Sequence, residues 1–328
     1  MKIFVTGGAG YIGSHTVREL VRQNHEVLVY DNMSDGHEEA VDKKAELVVG
    51  DISNARMLNK VFKSFKPDAV IHFAGFIQVG ESVKNPAKYF YGNFAFGVNL
   101  LEAMIKNDIK NIIYSSSAGV YGNPERIPIK ESDPKEPVNT YGVTKLMFEK
   151  ALESYQKAYN LKWTALRYFN AAGASSDGTI GEDHYPETHI IPLIIQTALG
   201  QQKEFEIFGN DYPTTDGTCI RDYIHVEDLA VAHIEALEKL VKTKKSAIYN
   251  LGLSKGFSNL EVIKAVEKVS GKKIKMIYAP RREGDPSQLI ADSTLARNEL
   301  NFKPKYATIE SIVETAWRWH KKNPNGFK

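Results

Sequence analysis

The sequence predicts an α/β protein: a doubly wound, mostly parallel sheet carrying a smaller C-terminal α/β lobe. Three observations predict it. Short β-branched runs alternate with amphipathic stretches from residue 1 to about 170, the pattern of βαβ crossovers. A glycine-rich turn follows the first of those runs and opens the first helix. After Asn170 the texture changes to long segments rich in Gly, Asp, Thr and Pro.

The first strand reads as Ile3–Thr6, and the turn behind it runs T-G-G-A-G-Y-I-G from Thr6 to Gly13. Gly7, Gly10 and Gly13 each remove a Cβ that would obstruct the turn, a pyrophosphate, or the packing of helix on sheet. The helix opening at Tyr11 and Ile12 aims its positive end at the same point. Val27–Tyr30 forms the next strand, and Asp31 closes it eighteen residues past Gly13. A carboxylate there accepts from ribose hydroxyls and repels a 2′-phosphate, so the expected cofactor is NAD on a Rossmann-type sheet. The plain alternative is a glycine turn with no ligand.

Further strands are expected at Leu47–Val49, Ala69–Phe73, Asn111–Ser115 and Thr164–Arg167, with helices at Tyr11–Gln23, Met57–Phe65, Tyr89–Lys106 and Tyr141–Tyr159. Beyond Asn170, residues 171–189 and 209–222 read as long loops around a helix at Ile191–Leu199. A helix at Val226–Val241 followed by Ala247–Leu251 reads as one more unit returning to the sheet, and helices at Asn259–Ser270 and Ile309–Lys321 complete the chain.

Composition narrows the function classes. Lys and Arg number 42 against 40 Asp and Glu, and a net charge of +2 argues for neither nucleic acid nor an anionic membrane. Cys219 is the only cysteine, which excludes an internal disulfide and a thiolate cluster. The nine histidines show no H-x-x-x-H spacing, so no metal is expected. No run of the sequence is apolar for long enough to span a bilayer, and the first strand begins too early for a signal peptide. A soluble cytoplasmic protein is therefore expected.

The reacting residues are sought at the carboxyl edge of the sheet. Tyr141 and Lys145 lie four apart on one helix and so share a face. A free tyrosine titrates near ~10, and a neighbouring ammonium together with an oxidised nicotinamide favours its phenolate. Ser115, Ser116 and Ser117 close the strand before them, and Ser117 is placed to hydrogen-bond the oxygen that Tyr141 deprotonates. Turn capping after a strand is the plain alternative for the serines.

These residues resemble the extended short-chain dehydrogenase/reductase superfamily, and longer strings resemble its UDP-hexose 4-epimerases. The strings are T-G-G-A-G-Y-I-G-S-H-T at Thr6–Thr16, H-F-A-G at His72–Gly75, S-S-S-A-G-V-Y-G at Ser115–Gly122 and L-R-Y-F-N at Leu166–Asn170. I-F-G-N-D-Y-P-T-x-D-G-T at Ile207–Thr218, R-D-Y-I-H-V at Arg221–Val226 and A-P-R-R-E-G-D at Ala279–Asp285 extend the resemblance over nearly the whole chain. It implies that Tyr141 takes the O4 proton of a UDP-hexose, Ser117 bridges that oxygen, and NAD accepts the C4 hydride. The 4-keto sugar then turns over and the hydride returns to its other face. The implied cofactor contacts add Asn32, Asp51, Ile52, Phe73, Ala74, Gly75, Asn93, Ser115 and Tyr168 to the glycine turn, Asp31, Tyr141 and Lys145. The implied UDP-sugar contacts are Ser117, Tyr141, Asn170, His189, Ile190, Phe208, Arg221, Arg282, Asp285 and Leu289. Surface salt bridges for the two arginines, a packed loop histidine for His189 and a core role for Phe208 stand beside these readings. A NAD-binding domain at 1–170 with a return segment near 226–253, a UDP-sugar lobe at 171–328 and a homodimer are also implied.

Two departures stand out. Ile77 occupies a position where a lysine contacts the cofactor in well-known members, so NAD is expected to be held less firmly. Leu289 stands where strictly hexose-specific members carry tyrosine, which leaves room for an N-acetyl group. Among rivals, 4,6-dehydratases place Asp-Glu just after the serine, and here those residues are Ala118-Gly119. A non-catalytic NAD-sensing module and a simple dehydrogenase with exchanging NAD share the fingerprint.

Overall fold

The computed structural model describes residues 1–282 and 285–327; Glu283 and Gly284, within the A-P-R-R-E-G-D string, and Lys328 lie outside the described residues. The N-terminal alternation folds as β1 (Lys2–Thr6), α1 (Tyr11–Arg22), β2 (Glu26–Asp31), β3 (Glu46–Val49), α2 (Ala55–Phe65) and β4 (Ala69–His72). It continues through α3 (Val79–Lys84), α4 (Pro86–Tyr89), α5 (Phe96–Lys106), β5 (Asn111–Ser117), α6 (Thr140–Tyr159) and β6 (Lys162–Tyr168). The C-terminal part holds β7 (Asn170–Ala172), α7 (Ile190–Ala198), β8 (Phe205–Phe208), β9 (Ile220–His225), α8 (Val226–Thr243), β10 (Ala247–Leu251) and β11 (Gly256–Ser258). α9 (Asn259–Ser270), β12 (Met276–Ala279), β13 (Gln288–Leu289), α10 (Thr294–Glu299) and α11 (Ile309–Lys322) complete it.

The central sheet has seven strands in the order β10-β6-β5-β4-β1-β2-β3, all parallel. Parallel sheets need both faces covered, and the strands accordingly read as unbroken apolar runs. One face packs Val17 and Leu20 of α1 and Leu229, Leu237 and Leu240 of α8 onto Ile3, Val5 and Ile71. The other packs Leu58 and Phe62 of α2, Leu100 and Met104 of α5 and Phe148 of α6 onto Phe4, Val70 and Ile112. The strand order reverses between β1 and β4, which opens a crevice at their carboxyl ends. As expected, Ala247–Leu251 returns to the sheet, pairing with β6 from Thr164 to Tyr168.

The second lobe is smaller. β9 pairs with β7, β11 and β13, and β8 pairs with β12. Ile191, Ile194 and Ile195 of α7 share a core with Val262 and Val266 of α9 and Ile312 and Val313 of α11.

Three expectations are corrected. The run Tyr89–Lys106 is not one α-helix: Phe90–Ala95 is π-helical, which rotates Asn93 inward to a buried position. The loop expected at 209–222 ends sooner, because Ile220–Asp222 already belongs to β9, where all three residues pair with β11 and Ile220 and Arg221 also pair with β13. Likewise Ala171 and Ala172 belong to β7 rather than to a loop.

Candidate active site

The glycine turn lies against the end of β4, across the crevice. A Cβ on Gly7, whose φ is +71°, would meet the backbone nitrogen of Ala74 at 2.6 Å, and one on Gly13 would meet the Gly7 carbonyl oxygen at 2.1 Å. These glycines permit a backbone approach that any side chain forbids. Gly10 caps α1 without a side-chain hydrogen bond and no acid stands in the first turn, so the N–H groups at Tyr11 and Ile12 face the crevice as anion donors. Asp31 is buried at the end of β2, its carboxylate accepting from the backbone N–H groups of Ala9 (3.0 Å) and Met33 (2.9 Å). Burial pushes its carboxyl above the usual range, against those two hydrogen bonds. At the end of β3, Asp51 accepts from the Asn32 amide at 2.7 Å. Burial opposes charge on Asp51, but hydrogen bonds from Ser53 and Asn32 outweigh it and hold the group below its ordinary value. Ile52 is buried beneath, and Phe73 packs its ring on His233 with centroids 4.7 Å apart. This cradle of bare backbone donors at one end and acceptor carboxylates at the other fits an adenine dinucleotide without a 2′-phosphate. Ile77, in the loop after β4, is 39% exposed.

On the far side of the crevice, α6 is held by its first turn. Asn139 accepts from Gly142 N–H at 2.9 Å, and Ser82 accepts from Tyr141 N–H at 3.1 Å. Gly142 lets the helix touch the 3₁₀ turn Ala118–Val120: a Cβ there would lie 2.4 Å from the Gly119 carbonyl oxygen. That contact brings Tyr141 beside Ser117. A Cβ on Gly119 would sit 3.4 Å from Ser117 Oγ and 3.6 Å from the Tyr141 ring, so nothing but space separates phenol, serine and turn.

Lys145 is buried and donates to the Ser115 carbonyl oxygen at 2.8 Å, with its Nζ 5.7 Å from the centre of the Tyr141 ring. Asn93 joins this group through its amide, which donates to Thr144 Oγ1 at 3.3 Å and both accepts from and donates to the backbone of Phe76. Tyr168 shares a hydrogen bond with Ser115 Oγ. Burial pushes the Tyr141 phenol above its ordinary value, with the Ser117 hydrogen bond pulling the other way. The expected lowering is a joint effect of Lys145 and an oxidised nicotinamide; in the chain alone the desolvation of the phenol dominates. Burial also pushes the Lys145 ammonium down, to about 8, against the pull of Glu149.

A buried network that sequence spacing did not reveal holds these pieces. Arg167 on β6 donates to Glu149 on α6 from Nε (2.9 Å) and Nη2 (2.5 Å), both side chains being buried. Glu149 also accepts from Ser116 at 2.6 Å, and Arg167 donates to Tyr121 Oη at 2.9 Å. Tyr121 donates in turn to Asn250 on β10 at 2.7 Å. The partners lie far apart in sequence, and only the charge of Glu149 four residues after Lys145 hinted at it.

The expected UDP-sugar residues divide into two groups. Asn170 donates to the Asp222 carbonyl oxygen at 2.7 Å on the β7–β9 ladder. Arg221 and Asp285 pair directly, and Arg282 lies over the half-buried Phe208 ring at 4.0 Å. Phe208 is thus no core residue, and Arg221 is not a bare surface pair. Leu289 sits opposite Arg221 in the β9–β13 ladder and packs on the cluster containing Ala118 and Tyr121. His189 caps α7 at its N-terminus, next to Ile190, and lies against Glu182 and Glu187. Burial works against charge on His189, but the Glu182 carboxylate outweighs it and holds the imidazole well above its ordinary range.

The model of the NAD dependent epimerase/dehydratase family matches residues 3–252. A UDP-glucose 4-epimerase of Lacticaseibacillus casei is 52% identical over 327 residues, covering 100% of this chain and 99% of its own length. A crystal structure of a UDP-glucose 4-epimerase superposes with a TM-score of 0.98 at 46% identity, with 100% of both chains covered. That of the Bifidobacterium longum enzyme, in complex with NAD+ and UDP, superposes with a TM-score of 0.95 at 39% identity, again with 100% of both chains covered.

Lys145 gives a pH signature. Its folded value lies below its ordinary one, so the unfolded chain binds the proton more tightly between about 8 and the usual lysine range. Wild-type stability is therefore expected to rise relative to Lys145→Met as pH climbs past about 8, read as the difference in unfolding midpoint. A difference flat with pH would contradict the lowered value.

Proposed function

The chain belongs to the NAD dependent epimerase/dehydratase family, and from that premise we propose that it interconverts UDP-glucose and UDP-galactose by NAD-dependent 4-epimerisation. One observation carries the reading. Tyr141 and Ser117 flank the bare Gly119, at the carboxyl edge of a parallel sheet and beside a turn fit for a dinucleotide. The position that holds an acid in dehydratases has no side chain here, which favours epimerisation over elimination.

NAD, when bound, supplies the acceptor and later donor of the C4 hydride, and a positive charge near the phenol. The chain's own residues do the rest. Tyr141 takes the O4 proton as general base, Ser117 holds that oxygen through its hydroxyl, and Lys145 steadies the developing phenolate. Tyr141 then returns the proton once the sugar has turned. For the turn to be productive the UDP must stay anchored. Arg221 spends one N–H on Asp285 and one on the Ile220 carbonyl oxygen, leaving donors for a diphosphate. Arg282 over Phe208 forms a platform for the uridyl end, Asp285 has an oxygen for a ribose hydroxyl, and Asn170, His189 and Ile190 complete the grip.

The same reading assigns NAD to residues 1–170 with the return segment near 226–253, and the UDP-sugar to 171–328. Leu289, packed beside Ala118 and lacking the phenol of a tyrosine, supports UDP-N-acetylglucosamine as a further substrate. Exposed Tyr91 and Phe90 near α5, and Tyr159 at the end of α6, favour pairing of those helices in a homodimer. The cytoplasm, which holds pools of NAD and nucleotide sugars, is the proposed compartment; among the described residues no helix is long and apolar enough to cross a membrane.

Three measurements test this. Purified protein with no cofactor added is expected to convert UDP-galactose to UDP-glucose, and Tyr141→Phe to lose on the order of 10²–10⁴ in kcat while retaining NAD; a variant with full turnover would mean a sensor rather than an enzyme. Incubation with UDP-N-acetylglucosamine should yield its C4 epimer, and turnover confined to the two hexoses refutes the role given to Leu289. Light scattering should return twice the chain mass, and a monomer at working concentration would sink the dimer.

A further inference from the structure

Between β7 and α7 the chain carries four side chains spaced E-x-H-x-x-E-x-H: Glu182, His184, Glu187 and His189. We propose that they form a divalent transition-metal site, with Zn²⁺ the ion its donors suit. This runs against the expectation of no metal drawn from histidine spacing alone.

One ligand atom from each of the four lies within 4.8 Å of all the others. Donors on a tetrahedral Zn²⁺, bound at about 2.1 Å, stand about 3.4 Å from one another. Here Glu182 Oε1 is 3.3 Å from His184 Nδ1, and Glu187 Oε1 is 3.4 Å from His189 Nδ1. The remaining close pairs are Glu187 Oε2 to His184 Nδ1 at 3.8 Å and Glu182 Oε1 to His189 Nδ1 at 2.6 Å. Three of the four separations lie close to the ligand-shell figure, and the 2.6 Å pair has to open by less than about 1 Å to admit an ion.

The second observation concerns hydrogen bonding. Glu182 is 3% exposed, and its Oε1, His184 Nδ1 and His189 Nδ1 are buried atoms without a hydrogen-bond partner despite these short separations. Two imidazolium rings would neutralise the carboxylates as well, but each would then direct its Nδ1–H at an oxygen. Neither ring Nδ1 makes such a hydrogen bond here. Orphaned buried atoms of this kind cost free energy unless something between them accepts their lone pairs. An ion that displaces the ring protons would leave two neutral imidazoles and two carboxylates, whose charge of −2 a divalent cation cancels. Imidazole with carboxylate donors suits Zn²⁺ rather than Ca²⁺ or Mg²⁺, which take oxygen shells.

Four protein donors close the shell, so the ion is structural and leaves no open position for substrate. Its place in the fold gives it a task. His184 meets the ring of Tyr11 edge-on at 6.1 Å, and the Glu182 carbonyl oxygen accepts from Trp319 Nε1 on α11 at 3.2 Å. The ion thus clamps the entry to α7 between the glycine turn and the C-terminal helix. A His189 ring bound through Nδ1 keeps its Nε2 free, so the site is compatible with a role for that residue beside UDP.

The test uses the full-length protein, stripped with chelator and dialysed against Zn²⁺ or Co²⁺. About one ion per chain is expected, with Co²⁺ giving the intense visible ligand-field bands of four-coordination and Zn²⁺ raising the unfolding midpoint. Both signals should vanish in Glu182→Gln and in His184→Ala. Metal content no higher than in those variants, or six-coordinate Co²⁺ bands, overturns the proposal. Should a variant fail to fold, a wild-type midpoint unmoved by Zn²⁺ overturns it equally. Epimerase activity is scored separately, since a metal-free chain that turns over UDP-galactose would sink only the clamp.

Discussion

The buried ion pair between Glu149 and Arg167 is the constraint on which the site's geometry rests. It ties the helix bearing Tyr141 and Lys145 to a central strand, and through Ser116 to the strand bearing Ser115 and Ser117. Burying two charges is costly, and their attraction repays it only with good geometry and further hydrogen bonds. Both conditions hold here, because the fork is two-pronged and Ser116 and Tyr121 supply the extra partners. Such a pair adds little stability over apolar residues, but loss of one partner strands the other at a cost of about 3–5 kcal/mol. Its value lies in direction: an apolar contact would let α6 slide, whereas a guanidinium fork fixes its position along the strand.

A second constraint sets how closely elements approach. The contact of Gly142 with the Gly119 carbonyl and of Gly7 with Ala74 bring two backbones together on each side of the crevice. Chemistry is thereby assembled from main chain as much as from side chains. The donors at the glycine turn are backbone N–H groups, and the Lys145 ammonium is oriented by the Ser115 carbonyl.

Much of this was legible in the chain. Local signals sufficed for the strands of the central sheet, since each is an apolar run bounded by turn residues, and for the glycine turn with Asp31. Tyr141 and Lys145 were legible because helix periodicity puts them on one face. What was not legible depends on long-range partners. The π-helical turn at Phe90–Ala95 arises where Asn93 reaches the backbone of Phe76, a contact no local propensity encodes. β9 had no local signal, because Ile220–Asp222 gains its ladder partners from segments far along the chain. The pairing of Arg221 with Asp285 spans 64 residues. The Glu182–His189 cluster alternates carboxylate with imidazole, a spacing that carries no paired-histidine signal.

The return strand β10 has an architectural consequence. It covers the outer side of β6, using residues 247–251 that lie beyond much of the sugar-side lobe. A fragment ending near residue 170 would therefore expose a long apolar strand with its ladder groups open, a template for intermolecular pairing. Residues 1–170 by themselves thus lack a strand that completes their own sheet.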